Sequence, residues 1–214
     1  MERLQSLLRQ YNQSHKEDLM LAPWSKQYCE EVFPKYWEIV YSILQLFDKN
    51  SSVLEIGCGL GDITAILCYL GFKQVTSIEK NKLISLVAQR RIADMFNMNG
   101  VVRNENYPIG KHYTADILIL VNCVYADQAK TKREYLELIQ NYYECAGSPD
   151  HFLMEVIDSS YTEVNSEFPE YVRLSLSDIE GIFHNCIIRS WETYKYPTNS
   201  KSKTLYLIER QRRY

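Results

Sequence analysis

"VLEIGCGLGD", residues 53–62, is the stretch on which the fold of this chain turns. Val53 to Ile56 is a short, mostly apolar run, and such runs read as buried strands. Glycines then recur at alternate positions, Gly57, Gly59 and Gly61, before the stretch closes on Asp62. A backbone without Cβ atoms can enter left-handed conformations and pass very close to a neighbour. The stretch therefore reads as strand, tight turn and the start of a helix, which runs from Asp62 to about Leu70 and stops at Gly71.

Outward from this unit, strands and helices alternate. "KQVTSIE" (73–79) is strand-like, and "KNKLISLVAQRRIADMFNMNG" (80–100) is a helix closing at Gly100. "VVRNEN" (101–106) is a weak strand, "ADILILV" (115–121) a strong one, and "DQAKTKREYLELIQNYYECAG" (127–147) a helix. "HFLMEVID" (151–158) is a strand, followed by a loop to about Leu174 and a helix opening at Ser177, where Ser177 and Glu180 have capping-box spacing. "CIIRSWETYKY" and "KTLYLIER" alternate like two antiparallel strands around "PTNSKS". On the N-terminal side, residues 2–10 form an amphipathic helix, and residues 25–47 keep helical spacing with an interruption at Pro34. The pattern predicts an α/β fold, a mostly parallel sheet with an antiparallel C-terminal hairpin and helices on both faces. Residues 1–49 read as a helical cap or lid, and 50–214 as the main domain.

Composition narrows the function. Of the 214 residues 46% are hydrophobic and 24% charged, enough to fill a sizeable core. The formal net charge of −3 leaves no basic surplus to displace counterions, so no nucleic-acid partner is expected. Six cysteines (29, 58, 68, 123, 145, 186) and four histidines (15, 112, 151, 184) show no metal-site spacing, and no metal is expected. "MERLQSLLRQ" lacks the apolar core of a signal peptide and no stretch reaches membrane-span length, which predicts a cytoplasmic protein with no membrane partner. The oligomeric state stays open.

In an open α/β sheet, ligands sit beyond the carboxyl ends of the strands, which is where the glycine turn lies. A dinucleotide fingerprint wants its third glycine at relative position six, and that position holds Asp62. A carboxylate at a helix N-terminus suits the dipole and repels phosphate, which predicts a ligand without phosphates. No Gly-Lys-Ser/Thr follows, so the P-loop reading fails as well. Glu79 closes the second strand 22 residues after Gly57 (79 − 57), about the separation at which an acid grasps a ribose diol. A nucleoside without phosphate and with a cationic partner near Glu55 and Asp62 describes S-adenosylmethionine.

"VLEIGCGLGD" followed by "VTSIEKN" resembles motifs I and II of the class I, seven-stranded Rossmann-like S-adenosylmethionine-dependent methyltransferases. "ADILILVNCVY" is similar to that family's fourth motif, and the resemblance covers roughly residues 50–210. It implies that Glu55, Gly57, Gly59 and Gly61 shape the methionine end of the pocket and that Glu79 holds the ribose. Asn104, Glu105 and Asn106 compete for the adenine amino group, with Glu105 or Asn106 favoured. Asn122 would border the sulfonium and the incoming substrate. Members acting on planar amide or exocyclic nitrogens often carry Asn/Asp-Pro-Pro-Tyr here; Asn122-Cys123-Val124-Tyr125 keeps the outer residues without the prolines. This points to a small-molecule substrate instead.

A general base is needed only where the nucleophile must lose a proton. The candidates are Tyr125, Asp127 and Asp158, with Glu155 the weaker of the strand-end pair, and His15 if its segment covers the pocket. Asp127 competes for the role of helix N-cap, and Glu155 for a place in a solvated layer. The aromatics Tyr11, Trp24, Tyr28, Tyr36 and Trp37 read either as cap packing or as a lid facing the sulfonium. Two other readings share these residues: aminocarboxypropyl transfer or cyclisation releasing methylthioadenosine, and a catalytically silent binding subunit.

Overall fold

The computed structural model describes residues 1–22, 34–108, 112–123, 129–161, 168–194 and 201–211. They gather into two units, Met1–Tyr107 and Pro108–Tyr214.

The first unit opens with helices α1 (Glu2–Ser14), α2 (Asp18–Leu21) and α3 (Lys35–Gln45). Then β1 (Ser52–Ile56), α4 (Asp62–Leu70), β2 (Gln74–Glu79), α5 (Lys82–Phe96) and β3 (Val102–Asn104) alternate as expected. The three strands are parallel in the order β3-β2-β1, with Glu55 opposite Ser77 and Glu79 opposite Asn104. Pro34 sits at the N-cap of α3, the position its missing N–H tolerates. The helix ends under Lys49, whose Nζ donates to the carbonyls of Leu44 (2.8 Å) and Gln45 (3.0 Å) in its last turn. Helix α5 starts at an Asn81 cap whose side chain accepts from the N–H groups of Leu83 and Ile84. It stops at Asn97, in a left-handed conformation (φ 55°), before the predicted Gly100. Asparagine tolerates that region, so the helix can end there without a glycine.

The second unit contains β4 (Ile117–Leu120), α6 (Lys132–Cys145), β5 (His151–Asp158), β6 (Arg173–Leu174), α7 (Leu176–Ile182), β7 (Cys186–Tyr194) and β8 (Lys201–Arg210). Strand β5 is parallel to β4 and antiparallel to β8, which in turn pairs antiparallel with β7. Phe152, Leu153, Met154, Val156 and Ile157 are fully buried, as expected of a strand covered on both faces. The two-residue β6, beside the end of β5, is an addition to the expected strands. Helix α7 begins earlier than predicted: the capping box is Ser175 with Asp178, not Ser177 with Glu180. Ser175 is the residue still in extended conformation, so its hydroxyl can turn back to the Asp178 N–H. Helix α6 is likewise capped by Thr131, which accepts the Glu134 N–H, so the cap is not Asp127.

Candidate functional site

The turn after β1 is clamped to β2: the N–H groups of Gly57 and Cys58 both donate to the Ile78 carbonyl, at 2.8 and 3.0 Å. Gly57, Gly59 and Gly61 all lie in the left-handed region, with φ of 69°, 55° and 80°. At Gly61 a Cβ would meet Ile92 and Thr64 at 3.5 Å, an ordinary contact, so the backbone conformation demands glycine there.

Glu79 reaches this turn from the tip of β2. Its Oε2 accepts the Gly59 N–H at 3.1 Å, and its Oε1 accepts the Asn81 N–H at 2.8 Å. Asn104 braces the same tip, its Nδ2 donating to the carbonyls of Glu79 and Lys80. A carboxylate oxygen accepts more than one hydrogen bond, so each Glu79 oxygen retains acceptor capacity for a diol. Glu105 is half-buried and Asn106 exposed, directly beyond β3.

Glu55 is buried behind the turn. Its Oε2 accepts the hydroxyls of Thr64 (2.6 Å) and Ser77 (2.8 Å), tying β1 to α4 and β2. Burial pushes its carboxyl up to about 7, against the lowering effect of those two hydrogen bonds. The neighbouring Cys58 thiol is also driven up by burial, so it is no thiolate nucleophile.

Asp62, which opens α4, lies in an ion pair. Its Oδ1 accepts Nη1 of Arg91 at 2.7 Å, and the same nitrogen donates to the Leu60 carbonyl at 2.9 Å. Arg91 is only 1% exposed, so a guanidinium compensates the carboxylate inside the protein. Asp62 is thus ion-paired within the first unit. The carboxylate that occupies a backbone donor of the turn is Glu79, through Gly59.

The N-terminal helices pack onto this turn. Leu19 and Ala22 cluster with Leu60 and Ile84, and Asp18 accepts both its bonds from Arg90 Nη2 at 2.6 Å. Trp37 and Tyr36 are buried in the core, and the Trp37 indole donates to the Asp62 carbonyl at 3.4 Å. His15 ends α1 stacked on Tyr11, ring centroids 4.1 Å apart, with Nδ1 3.0 Å from the Tyr11 carbonyl. Trp24 and Tyr28 lie outside the described residues.

In the second unit Asn122 follows β4 in a left-handed conformation (φ 56°). Its Oδ1 accepts Nζ of Lys203 at 2.6 Å. Lys203 also donates to Glu155 Oε2 at 3.4 Å, and Thr193 donates to Glu155 Oε1 at 2.9 Å. Glu155 is thus a paired, buried carboxylate, which corrects its reading as a solvated side chain. Asp158 ends β5 with Oδ1 accepting the Ser160 N–H (2.8 Å) and Oδ2 accepting the Thr204 hydroxyl. Tyr125 and Asp127 lie outside the described residues, as do residues 162–167 of the loop after β5. Sequence reasoning missed Lys203 and Arg91. For Lys203 there was a signal: it shares its strand face with Leu205 and Leu207, both buried. For Arg91 the signal was its helical spacing on the face of Ile84, Ala88 and Ile92, all buried.

No family model matches the sequence, and no curated protein does. Solved structures match closely in shape at low identity. One is magnesium protoporphyrin IX methyltransferase from Synechocystis PCC 6803 with bound S-adenosylhomocysteine: TM-score 0.64, 13% identity, covering 97% of this chain and 100% of that one. Another is an S-adenosylmethionine-dependent methyltransferase from Clostridium acetobutylicum, with TM-score 0.57, 13% identity, and 94% and 98% coverage. The methyltransferase domain of a bacterial Hen1 protein follows at TM-score 0.58 and 11% identity, covering 82% of this chain and 97% of that one. The chain has the Rossmann-like fold of the class I S-adenosylmethionine-dependent methyltransferases.

Proposed function

We propose that the chain is an S-adenosylmethionine-dependent methyltransferase acting on an oxygen or nitrogen nucleophile of a small metabolite. The observation that carries this reading is Glu79, whose carboxylate is fixed at the glycine turn through the Gly59 N–H. That arrangement fits a ribose diol and rejects a pyrophosphate competing for the same donor. When bound, the cofactor supplies a methyl group already activated by its sulfonium. Gly57, Gly59 and Gly61 let the backbone approach the methionine part, Glu55 holds that turn from behind, and Glu105 or Asn106 takes the adenine amino group. Asn122 borders the reacting centre. Tyr125 and Asp127 are the candidate bases; Asp158 and His15 are weaker ones, since their own neighbours already engage them.

Most of what such a protein adds is position and exclusion of water. The small-molecule reading is supported by the net charge of −3, which offers no counterion-displacing surface. It is supported too by the Synechocystis neighbour, a methyltransferase of a porphyrin. Titration calorimetry with S-adenosylhomocysteine tests the pocket: Glu79→Ala should weaken binding by about 1.5–3 kcal/mol, the worth of a hydrogen bond to a charged group. Unchanged affinity would remove Glu79 from the ribose. With acceptor supplied from a metabolite panel, release of S-adenosylhomocysteine supports methyl transfer, and release of methylthioadenosine supports attack on another carbon of the sulfonium.

A further inference from the structure

The geometry points to Asn104 as the positioning residue for Glu79: its side-chain amide pins the end of β2 and so sets the carboxylate before a ligand arrives. The inference rests on the reading of Glu79 as the ribose carboxylate, and every residue it uses belongs to the first unit. Strands β2 and β3 run parallel, and Asn104, the last residue of β3, lies opposite Glu79, the last of β2. Past that pair the chain leaves the sheet for α5, and its carbonyls need other donors. Asn104 supplies them: its Nδ2 donates to the Glu79 carbonyl at 2.9 Å and to the Lys80 carbonyl at 3.0 Å. A primary amide has two N–H bonds, so each carbonyl takes one and only Oδ1 is left for any other partner.

The Lys80 carbonyl and the Asn81 N–H belong to one planar peptide unit and point in opposite directions. Holding that carbonyl from β3 therefore aims the N–H at Glu79 Oε1, which accepts it at 2.8 Å. The Asn81 side chain, as the cap of α5, holds the far end of the same peptide. Glu79 Oε2 is anchored separately, by the Gly59 N–H at 3.1 Å. Without Asn104 the peptide can turn, and the carboxylate loses one of the two backbone donors that keep it at the glycine turn. A glutamate has many rotamers, and ordering it only on binding lowers affinity; ordering it in the free chain avoids that loss. The positioning role spends Nδ2, whereas a contact with an adenine amino group would use Oδ1, so the two roles of Asn104 are separable by experiment.

In calorimetry with S-adenosylhomocysteine, Asn104→Ala should weaken binding on the order of tenfold. In a Glu79→Ala background the same change should cost less than about twofold, and likewise for the 2′,3′-dideoxy analogue, which has no diol to offer. With S-inosylhomocysteine, which lacks the adenine amino group, the loss of about tenfold should remain. Equal loss in both backgrounds would give Asn104 a merely structural part, and a loss that disappears with the inosine base would make it an adenine ligand. Either result overturns the inference, as does a loss of less than about twofold with S-adenosylhomocysteine itself. Unchanged binding in Glu79→Ala would overturn the ribose reading and this inference with it. Weakened binding in Glu79→Ala with none lost in Asn104→Ala would overturn the inference alone. Should Asn104→Ala not fold, Asn104→Val, which suits a strand and has no donor, is measured in its place.

Discussion

Glu55 is the residue with the clearest titration signature. Its carboxyl titrates at about 7, against an ordinary value of 4.5. The folded chain therefore binds an extra proton between these pH values. This contribution to stability is complete below pH 4.5 and lost as pH rises through about 7. The span amounts to about 3 kcal/mol, at 1.36 kcal/mol per unit. Glu55→Gln keeps an oxygen for Thr64 and Ser77 and has no proton to lose. Urea unfolding should show the variant gaining on wild type by about 3 kcal/mol between pH 4.5 and 7; parallel curves for the two proteins would rule out this buried titration. The motif spacing located Glu55 beside the turn, but not its burial, which depends on two hydroxyls contributed by α4 and β2.

At the scale of elements, the pair Asp62–Arg91 joins the first turn of α4 to the middle of α5. Both groups are buried, and Arg91 Nε and Nη2 have no hydrogen-bond partner among the described residues. Breaking such a pair costs more than replacing it, because one charge is left unpaired. Asp62→Asn should destabilise the chain by about 3–5 kcal/mol in chemical denaturation, while Asp62→Leu with Arg91→Met should recover most of that loss. Equal destabilisation by the single and double changes would mean that packing, not charge, dominates here. Strand and helix types were legible because periodicity and caps are local. The ends that differed are decided by local geometry that composition does not display: Asn97 in place of Gly100, Thr131 in place of Asp127, and Ser175 in place of Ser177. Several polar residues can cap; the one that does is the one whose backbone leaves the helix.

For the whole molecule the cofactor reading makes a thermodynamic statement. A ligand that binds only the folded state stabilises it by about 2.7 kcal/mol at one hundred times its dissociation constant. For a chain of this size that corresponds to roughly 5–10 °C in Tm. S-adenosylhomocysteine should produce this shift in a thermal melt, and NADH or ATP at equal concentration should produce none. A shift with either phosphate-bearing ligand would reverse the assignment of Glu79. None of the described helices is long and apolar enough to cross a membrane.

The sequence by itself determined the alternation of strands and helices, the left-handed glycine turn and the acid at the end of β2. Each of these depends on neighbours within a few residues, where sterics, periodicity and chain direction act without help from the rest of the fold. Only the tertiary structure decided which charged and polar groups are paired with one another. Asp62 is neutralised by Arg91, 29 residues away, and Asn122 is held by Lys203, 81 residues away. A carboxylate exposed at a helix end and one paired in the interior read alike in a sequence. They differ in their surroundings, which the chain assembles from distant segments.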